Sequence, residues 1–210
     1  MTFEPLTPER RRELTRRHLL EAAAIVFARD GFHGARLDDV ASLAGFTKGA
    51  VYSNFKSKDD LFLALLDDRV DQQFAVTAEV LDLGPHDRES QLPQMRGLIS
   101  MFFAEDSFAA LYLEFVLYAR RNPVAREKLI ASARRERDLI EALITREQGN
   151  VSAVAPYSTR ALAEFSRAVL NGLSLTRLVD PEAITETTLD STLAMLYDAM
   201  GAETDDDTDV

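Results

Sequence analysis

The chain has 210 residues, enough for one or two domains with a buried core. It carries 24 Lys and Arg against 35 Asp and Glu, a net charge of −11, and no cysteine, which excludes disulfides and thiolate metal sites. The N-terminus is too charged for a signal peptide and no apolar run reaches membrane-spanning length, so the expectation is a cytoplasmic protein with no membrane partner.

In chain order, Thr7 can cap a first helix and Pro8 suits its first position. Arg10, Arg11, Arg12, Arg16 and Arg17 crowd that start. They read either as a solvated helix end partnered by Glu9 and Glu13, or as an arm that touches phosphate or enters a minor groove. Gly31 marks the end of this helix. Leu37, Val40, Ala41 and Ala44 then repeat at i, i+3, i+4 and i+7, the buried face of a second helix, with Asp38 and Asp39 in its first turn where negative charge suits the dipole. Gly45 stops it. Thr47 caps a third helix of roughly residues 48–55, which turns Val51 and Phe55 inward.

Lys48, Gly49, Ala50, Tyr52 and Asn54 are left on the outer face of that third helix. One lysine, two very small residues, a tyrosine and an asparagine make a poor solvent face and a good groove-reading one. Gly49 and Ala50 let the backbone approach a base edge or thymine methyl, and Lys48 can reach guanine acceptors. Tyr52 and Asn54 offer tips of the kind that hold phosphates. Ser57 caps the next helix with Asp60 three residues on, and Lys58 in its first turn is placed to meet a phosphate. Two short helices joined by a glycine-containing turn have the layout of a DNA-reading helix-turn-helix; the plainer alternative is a hairpin that only packs.

Residues 19–61, LLEAAAIVFARDGFHGARLDDVASLAGFTKGAVYSNFKSKDDL, resemble the DNA-binding domain of the tetracycline-repressor-like (TetR) family of bacterial transcription regulators. Ala22, Ala23, Phe27, Gly31, Val40, Ala41, Ala44, Gly45, Lys48, Gly49, Tyr52, Phe55, Lys58 and Leu61 carry the resemblance. It implies an all-α fold of about nine helices: an arm and helix-turn-helix head over 1–57 and a helical ligand-binding and dimerisation body over 58–201. The composition of 202–210, dominated by acid with no apolar anchor before its final residue, predicts a disordered tail. The resemblance also implies a homodimer on a double-stranded, palindromic DNA operator, acting as a repressor released by a small-molecule effector; the aromatic and methionine side chains of the body point to an apolar or aromatic one. The DNA-contact set is Arg36, Thr47, Lys48, Gly49, Ala50, Tyr52, Asn54 and Lys58. One departure is visible: where many members place a threonine pair before the second helix, this chain has Ala35 and Arg36, and Arg36 can contact phosphate but cannot cap in the same way.

Charge is distributed as this reading requires. Residues 1–60 hold ten Lys or Arg against nine Asp or Glu, whereas the remaining 150 hold fourteen against twenty-six. Helices are expected over about 58–82, 90–105, 107–121, 123–147, 156–178 and 183–200, with the longest loop at 149–156. Met101, Phe102, Phe103, Phe108, Tyr112, Phe115 and Tyr118, with Asn171, are either ordinary core or the lining of an effector pocket. Glu114, Arg120 and Arg167 are further polar groups of that region. Leu162, Phe165, Val169, Leu173 and Thr176 form one stripe, flanked by Ala161, Ala168 and Gly172, and Leu189, Leu193, Leu196 and Tyr197 form another. These complete a monomer's core or, as the resemblance implies, build a dimer interface.

Catalytic patterns are missing from the sequence. His18, His33 and His86 have no HExxH or Glu-x-x-His spacing around them, and no nucleophile elbow or phosphate-cradling glycine motif occurs. No enzyme activity, metal or cofactor is therefore expected. The readings from other classes are an activator or DNA-architectural protein with the same head, and a helical small-molecule carrier or adaptor without DNA binding.

Overall fold

The computed structural model describes residues 7–82, 88–103, 106–150 and 157–199, and the acidic tail at 202–210 lies outside them. Nine α-helices and no strand occur among the described residues. The chain divides into two compact units, Met1–Arg69 with Leu111–Leu129 and Val70–Ala110 with Ile130–Val210.

The first unit begins with α1 (Pro8–Gly34), whose cap Thr7 accepts a hydrogen bond from the Arg10 N–H at 3.2 Å. Gly31 interrupts it at φ 70°, ψ 172°, a backbone region that is essentially restricted to glycine. The sharp turn swings Phe32 into the core, where it is 1% exposed. α2 (Leu37–Leu43) and α3 (Lys48–Asn54) follow, and both pack on α1. α4 (Lys58–Asp82) starts where Ser57 Oγ accepts from the Asp60 N–H at 3.1 Å. The unit is completed by parts of α6 (Asp106–Arg121) and α7 (Pro123–Asn150).

Aromatic packing closes this core. Phe27, Phe32, Phe62 and Phe115 are each at most 1% exposed, with the Phe62 and Phe115 rings 4.4 Å apart and Phe32 edge-on to Phe115 at 4.9 Å. Burial of each such ring stabilises by about 1.5–3 kcal/mol, and each well-oriented pair by about 0.5–1.5 kcal/mol more. The N–H of Phe32 donates to Glu114 Oε2 at 2.9 Å, which satisfies a backbone donor released by the Gly31 kink.

The second unit holds α5 (Arg88–Phe103), α8 (Thr159–Val179), α9 (Glu186–Ala199) and the remaining parts of α4, α6 and α7. α9 buries Leu189, Leu193 and Leu196 against Leu92, Met95 and Ile99 of α5 and Leu170 and Leu173 of α8. Arg96 and Asp190 clip α5 to α9 at 3.1 Å. A second cluster joins Ile144 of α7 to Leu162 and Ala163 of α8, with Ile140 alongside.

Element boundaries moved for local reasons. α8 starts at Thr159, later than expected, because Ser158 caps it by accepting from the Ala161 N–H at 3.2 Å. α9 starts at Glu186 because Thr185 takes the cap, accepting from the Thr188 N–H at 3.1 Å. α7 runs on to Asn150, into the stretch expected as a loop, and residues 151–156 lie outside the described ones. The α9 stripe is core of its own chain, whereas Ala161, Phe165, Ala168, Gly172, Leu175 and Val179 of α8 are exposed.

Candidate nucleic-acid interface

α2 and α3 are held together by a turn that the sequence dictates. Gly45 takes φ 74°, and the Phe46 N–H returns to the Ala41 carbonyl at 2.9 Å. Thr47 caps α3, its hydroxyl accepting from the Ala50 N–H at 3.3 Å. Val40 and Ala41 from α2 and Val51 and Phe55 from the α3 region are all buried, so the pair packs through one apolar seam. The outer face of α3 is thereby fixed.

That face carries exposed Thr47, Lys48 and Gly49, half-buried Ala50, and Tyr52 at 49% exposure. Asn54 is half-buried, and its Nδ2 donates to the Ala50 carbonyl at 2.8 Å. Lys48 Nζ lies 2.8 and 3.0 Å from the two carboxylate oxygens of Asp38, and 6.0 Å from the centre of the Tyr52 ring. Hydrogen bonding to Asp38 and the Asp38 charge push the Lys48 pKa up, so it stays an ammonium. Arg36 is the exposed N-cap residue of α2 and makes no side-chain cap; its carbonyl instead accepts from the Asp39 N–H at 3.1 Å.

Lys58 occupies a different place. Its ammonium donates to the carbonyls of His33 and Ala35 at 3.0 and 3.2 Å and sits 4.9 Å above the Phe32 ring. Burial pushes its pKa down. Lys58 thus caps the C-terminal end of α1, a site where cations are favoured by the exposed carbonyls. Of the arginines on the first turns of α1, Arg16 stacks on Phe55 at 4.6 Å and Arg17 pairs with Glu21 at 3.8 Å.

The outer face of α3 is polar, small and cationic over a closed apolar core. Gly49 has only Thr47 Oγ1 within 4 Å of a Cβ position, at 3.7 Å, so close approach of another surface is unobstructed there. The profile of "Bacterial regulatory proteins, tetR family" matches residues 19–65, the span that contains this site. A second profile, "BetI-type transcriptional repressor, C-terminal", matches residues 94–201, about half of the chain. The chain belongs to the TetR family.

Similarity to individual TetR-type regulators is consistent with this. The chain is 30% identical over 142 residues to the transcriptional regulator CymR of Pseudomonas putida, covering 65% of this chain and 68% of CymR. It is 34% identical to the transcriptional activator FasR of Mycolicibacterium smegmatis, over 44% of this chain and 40% of the length of FasR. In fold it resembles FadR of Bacillus subtilis, solved in complex with stearoyl-CoA, with a TM-score of 0.64 at 16% identity over 88% of this chain and 97% of FadR.

The aromatic residues singled out in the body of this TetR-family chain separate into three groups. Phe115 is fully buried in the ring cluster of the first unit, and Tyr118 packs there too, accepting from Asn122 Nδ2 at 2.6 Å and donating to Asp59 at 3.3 Å. Phe108, Tyr112 and Asn171 are half-buried. Met101, Phe102 and Phe103 lie on the last turn of α5, and their side chains fall outside those described. Arg120 is exposed and Arg167 pairs with Glu164 at 3.1 Å.

His18 and His33 are exposed and lie beside Phe46 and Phe32 respectively, while His86 is outside the described residues. Among the described residues no group of three His, Cys, Asp or Glu is arranged to hold a metal, and no helix is long and apolar enough to cross a membrane. Two contacts of the site had no signal in the sequence. The Asp38–Lys48 pair spans ten residues across a turn, outside any helical spacing rule, and the Lys58 cap joins residues more than twenty apart.

Proposed function

We propose that the chain is a transcriptional repressor that binds a palindromic operator as a homodimer and leaves it when a small effector binds. The observation that carries the DNA half is the outer face of α3, with Thr47, Lys48, Gly49, Ala50, Tyr52 and Asn54 presented over a closed core. Arg36 extends that face from the start of α2. Lys58 joins it only by giving up its bonds to His33 and Ala35. In this reading residues 1–57 are the DNA-binding head, 58–201 the effector-binding and dimerising body, and the chain acts in the cytoplasm without catalysing a reaction.

The dimer rests on α8. Ala161, Phe165, Ala168, Gly172, Leu175 and Val179 recur at intervals of four and three residues, the spacing of a helix–helix seam, and all six are exposed. A two-fold pairing through this seam presents two recognition helices to half-sites about one helical turn apart, roughly 34–36 Å, or a multiple of it. The effector half rests on family membership and on FadR, a protein of the same fold solved with a long acyl thioester. Phe108, Tyr112 and Asn171, with Met101, Phe102 and Phe103, remain the effector-contact set of this proposal. Phe115 and Tyr118 already have packing roles.

Repression by release is a two-state equilibrium in which effector prefers the form whose heads are wrongly spaced, so DNA must weaken effector binding by the same factor. The test is a mobility-shift assay on DNA upstream of the chain's own gene, with an effector screen. A complex that dissolves with one class of effector supports the reading; a footprint that no effector changes favours activation, the role named for FasR. A stable dimer with no footprint on any duplex leaves a carrier or adaptor.

A further inference from the structure

We propose that Asp38 is a positioning residue for DNA reading: its carboxylate holds the Lys48 ammonium in the free head, so that Lys48 is withheld from indiscriminate phosphate contact and released where the base pair beneath it satisfies both groups. The inference rests on the DNA-binding reading above and deepens it by assigning a residue that sets specificity.

The geometry is direct. Asp38 lies in the first turn of α2 and Lys48 is the first residue of α3, and the ammonium sits 2.8 and 3.0 Å from the two carboxylate oxygens. The side chains are 58% exposed for Lys48 and 44% for Asp38, so the pair lies at the surface of the head, with Asp38 Oδ1 turned inward and Oδ2 taking the hydrogen bond from Lys48. Tyr52, on the outer face of α3, stands 6.0 Å from the same ammonium. An ion pair this exposed is weak and easily exchanged. It is still strong enough to bias which partner Lys48 takes.

A phosphate offers an acceptor to Lys48 but repels Asp38, leaving the carboxylate without a partner. A G·C base pair in the major groove offers guanine O6 and N7 to the ammonium and the cytosine N4 donor to the carboxylate. Only the second exchange leaves neither charge unpaired. The restraint matters because the other lysine of the set, Lys58, is already bonded to the His33 and Ala35 carbonyls, and residues 1–60 are near neutral. Lys48 and the exposed Arg36 therefore carry the positive charge of this face, and of the two it is Lys48 that Asp38 holds.

The experiment uses the full chain on two duplexes, one of random sequence and one that the wild type enriches from a random library, each over a salt series. Asp38→Asn keeps the shape and removes the charge; Asp39→Asn makes the same charge change one residue away, where no pair with Lys48 exists. Asp38→Asn should steepen the log–log salt dependence on random duplex by about 0.9 for each engaged head, as one more phosphate contact requires. It should bind random duplex several-fold tighter and narrow the preference for the enriched duplex by a similar factor. Asp39→Asn should leave the slope unchanged, and adding Lys48→Gln to Asp38→Asn should return it to the wild-type value. Lys48→Gln alone breaks the pair from the other side without touching the acidic first turn of α2, and should lose the enriched duplex while barely altering random binding. A wild-type slope and preference in Asp38→Asn would overturn the inference, as would an equal change in Asp39→Asn. If the wild type retained no duplex at any salt, the DNA-binding reading would fall first and this one with it.

Discussion

The α3 face and the α8 seam are both exposed, yet they present opposite chemistry. α3 shows Thr47, Lys48, Gly49 and Tyr52 over a unit whose aromatic core is closed. α8 shows Phe165, Leu175 and Val179, exposed to 54%, 44% and 89%, with Ala161, Ala168 and Gly172 on the same stripe. Exposure alone therefore says little about partner; side-chain chemistry does. A small, polar, cationic face gains by meeting phosphates and base edges, whereas a contiguous apolar seam gains only by leaving water.

The largest expected effect falls on the seam. Phe165→Glu places a charge at its only aromatic position, and aromatic anchors typically contribute about 2 kcal/mol or more to an interface. Two-fold symmetry applies the change twice. Sedimentation equilibrium should show the dimer shifted to monomer at micromolar concentration with the thermal transition of the head preserved. A dimer of undiminished stability would place the interface elsewhere and remove half of the contrast.

Gly31→Ala tests the other half, that the head core is closed and self-consistent. The φ of 70° is strained for any residue with a Cβ, and that Cβ would stand 2.9 Å from Glu114 Oε1, the carboxylate that binds the Phe32 N–H. The backbone term costs about 1–3 kcal/mol, and displacing Glu114 adds to it. Urea denaturation should show a lower midpoint; an unchanged midpoint would mean that the kink relaxes freely and the core is looser than its packing implies.

How much of this was legible in the sequence follows the range of the interactions. Thr7, Thr47 and Ser57 act within three residues of themselves, so their caps were readable, and Gly31 and Gly45 announced their turns because so few residues tolerate positive φ. The Lys58 cap, the Asp38–Lys48 pair and the Glu114 clamp on Phe32 join residues 25, 10 and 82 apart, and no periodicity reports such contacts. Amphipathic spacing revealed that α8 and α9 each had an apolar face. It left open which face was spoken for: α9 spends its stripe on α5, while α8 keeps a second one exposed.

A smaller effect is expected at the reading face. Tyr52→Phe removes one hydroxyl from a half-exposed ring and no internal hydrogen bond to that hydroxyl occurs among the described residues, so folding should be unaffected. If the hydroxyl holds a phosphate, each head loses about 0.5–1.5 kcal/mol, equally on every duplex. Affinity measured across several sequences should fall by a common factor. A loss confined to one sequence would make Tyr52 a base reader and blur its division of labour with Lys48.

The smallest effect concerns the polar flank of α8 beside the seam. Glu136 of α7 is half-buried; burial pushes its carboxyl above the usual carboxylate range, Arg167 pulls it back and Glu164 adds to the rise. A raised value means that the folded chain still holds a proton where the unfolded chain has released it. The stabilisation is complete below the ordinary glutamate range and is lost as pH climbs through the raised value, so stability falls over that window and levels off above it. Glu136→Gln removes the titrating group and should flatten that segment of a stability–pH curve from urea midpoints, leaving the variant at least as stable as the wild type at neutral pH. Parallel curves for the two would mean that Arg167 compensates the carboxylate fully, so that the charged flank of α8 adds no pH dependence of its own beside the exposed apolar seam.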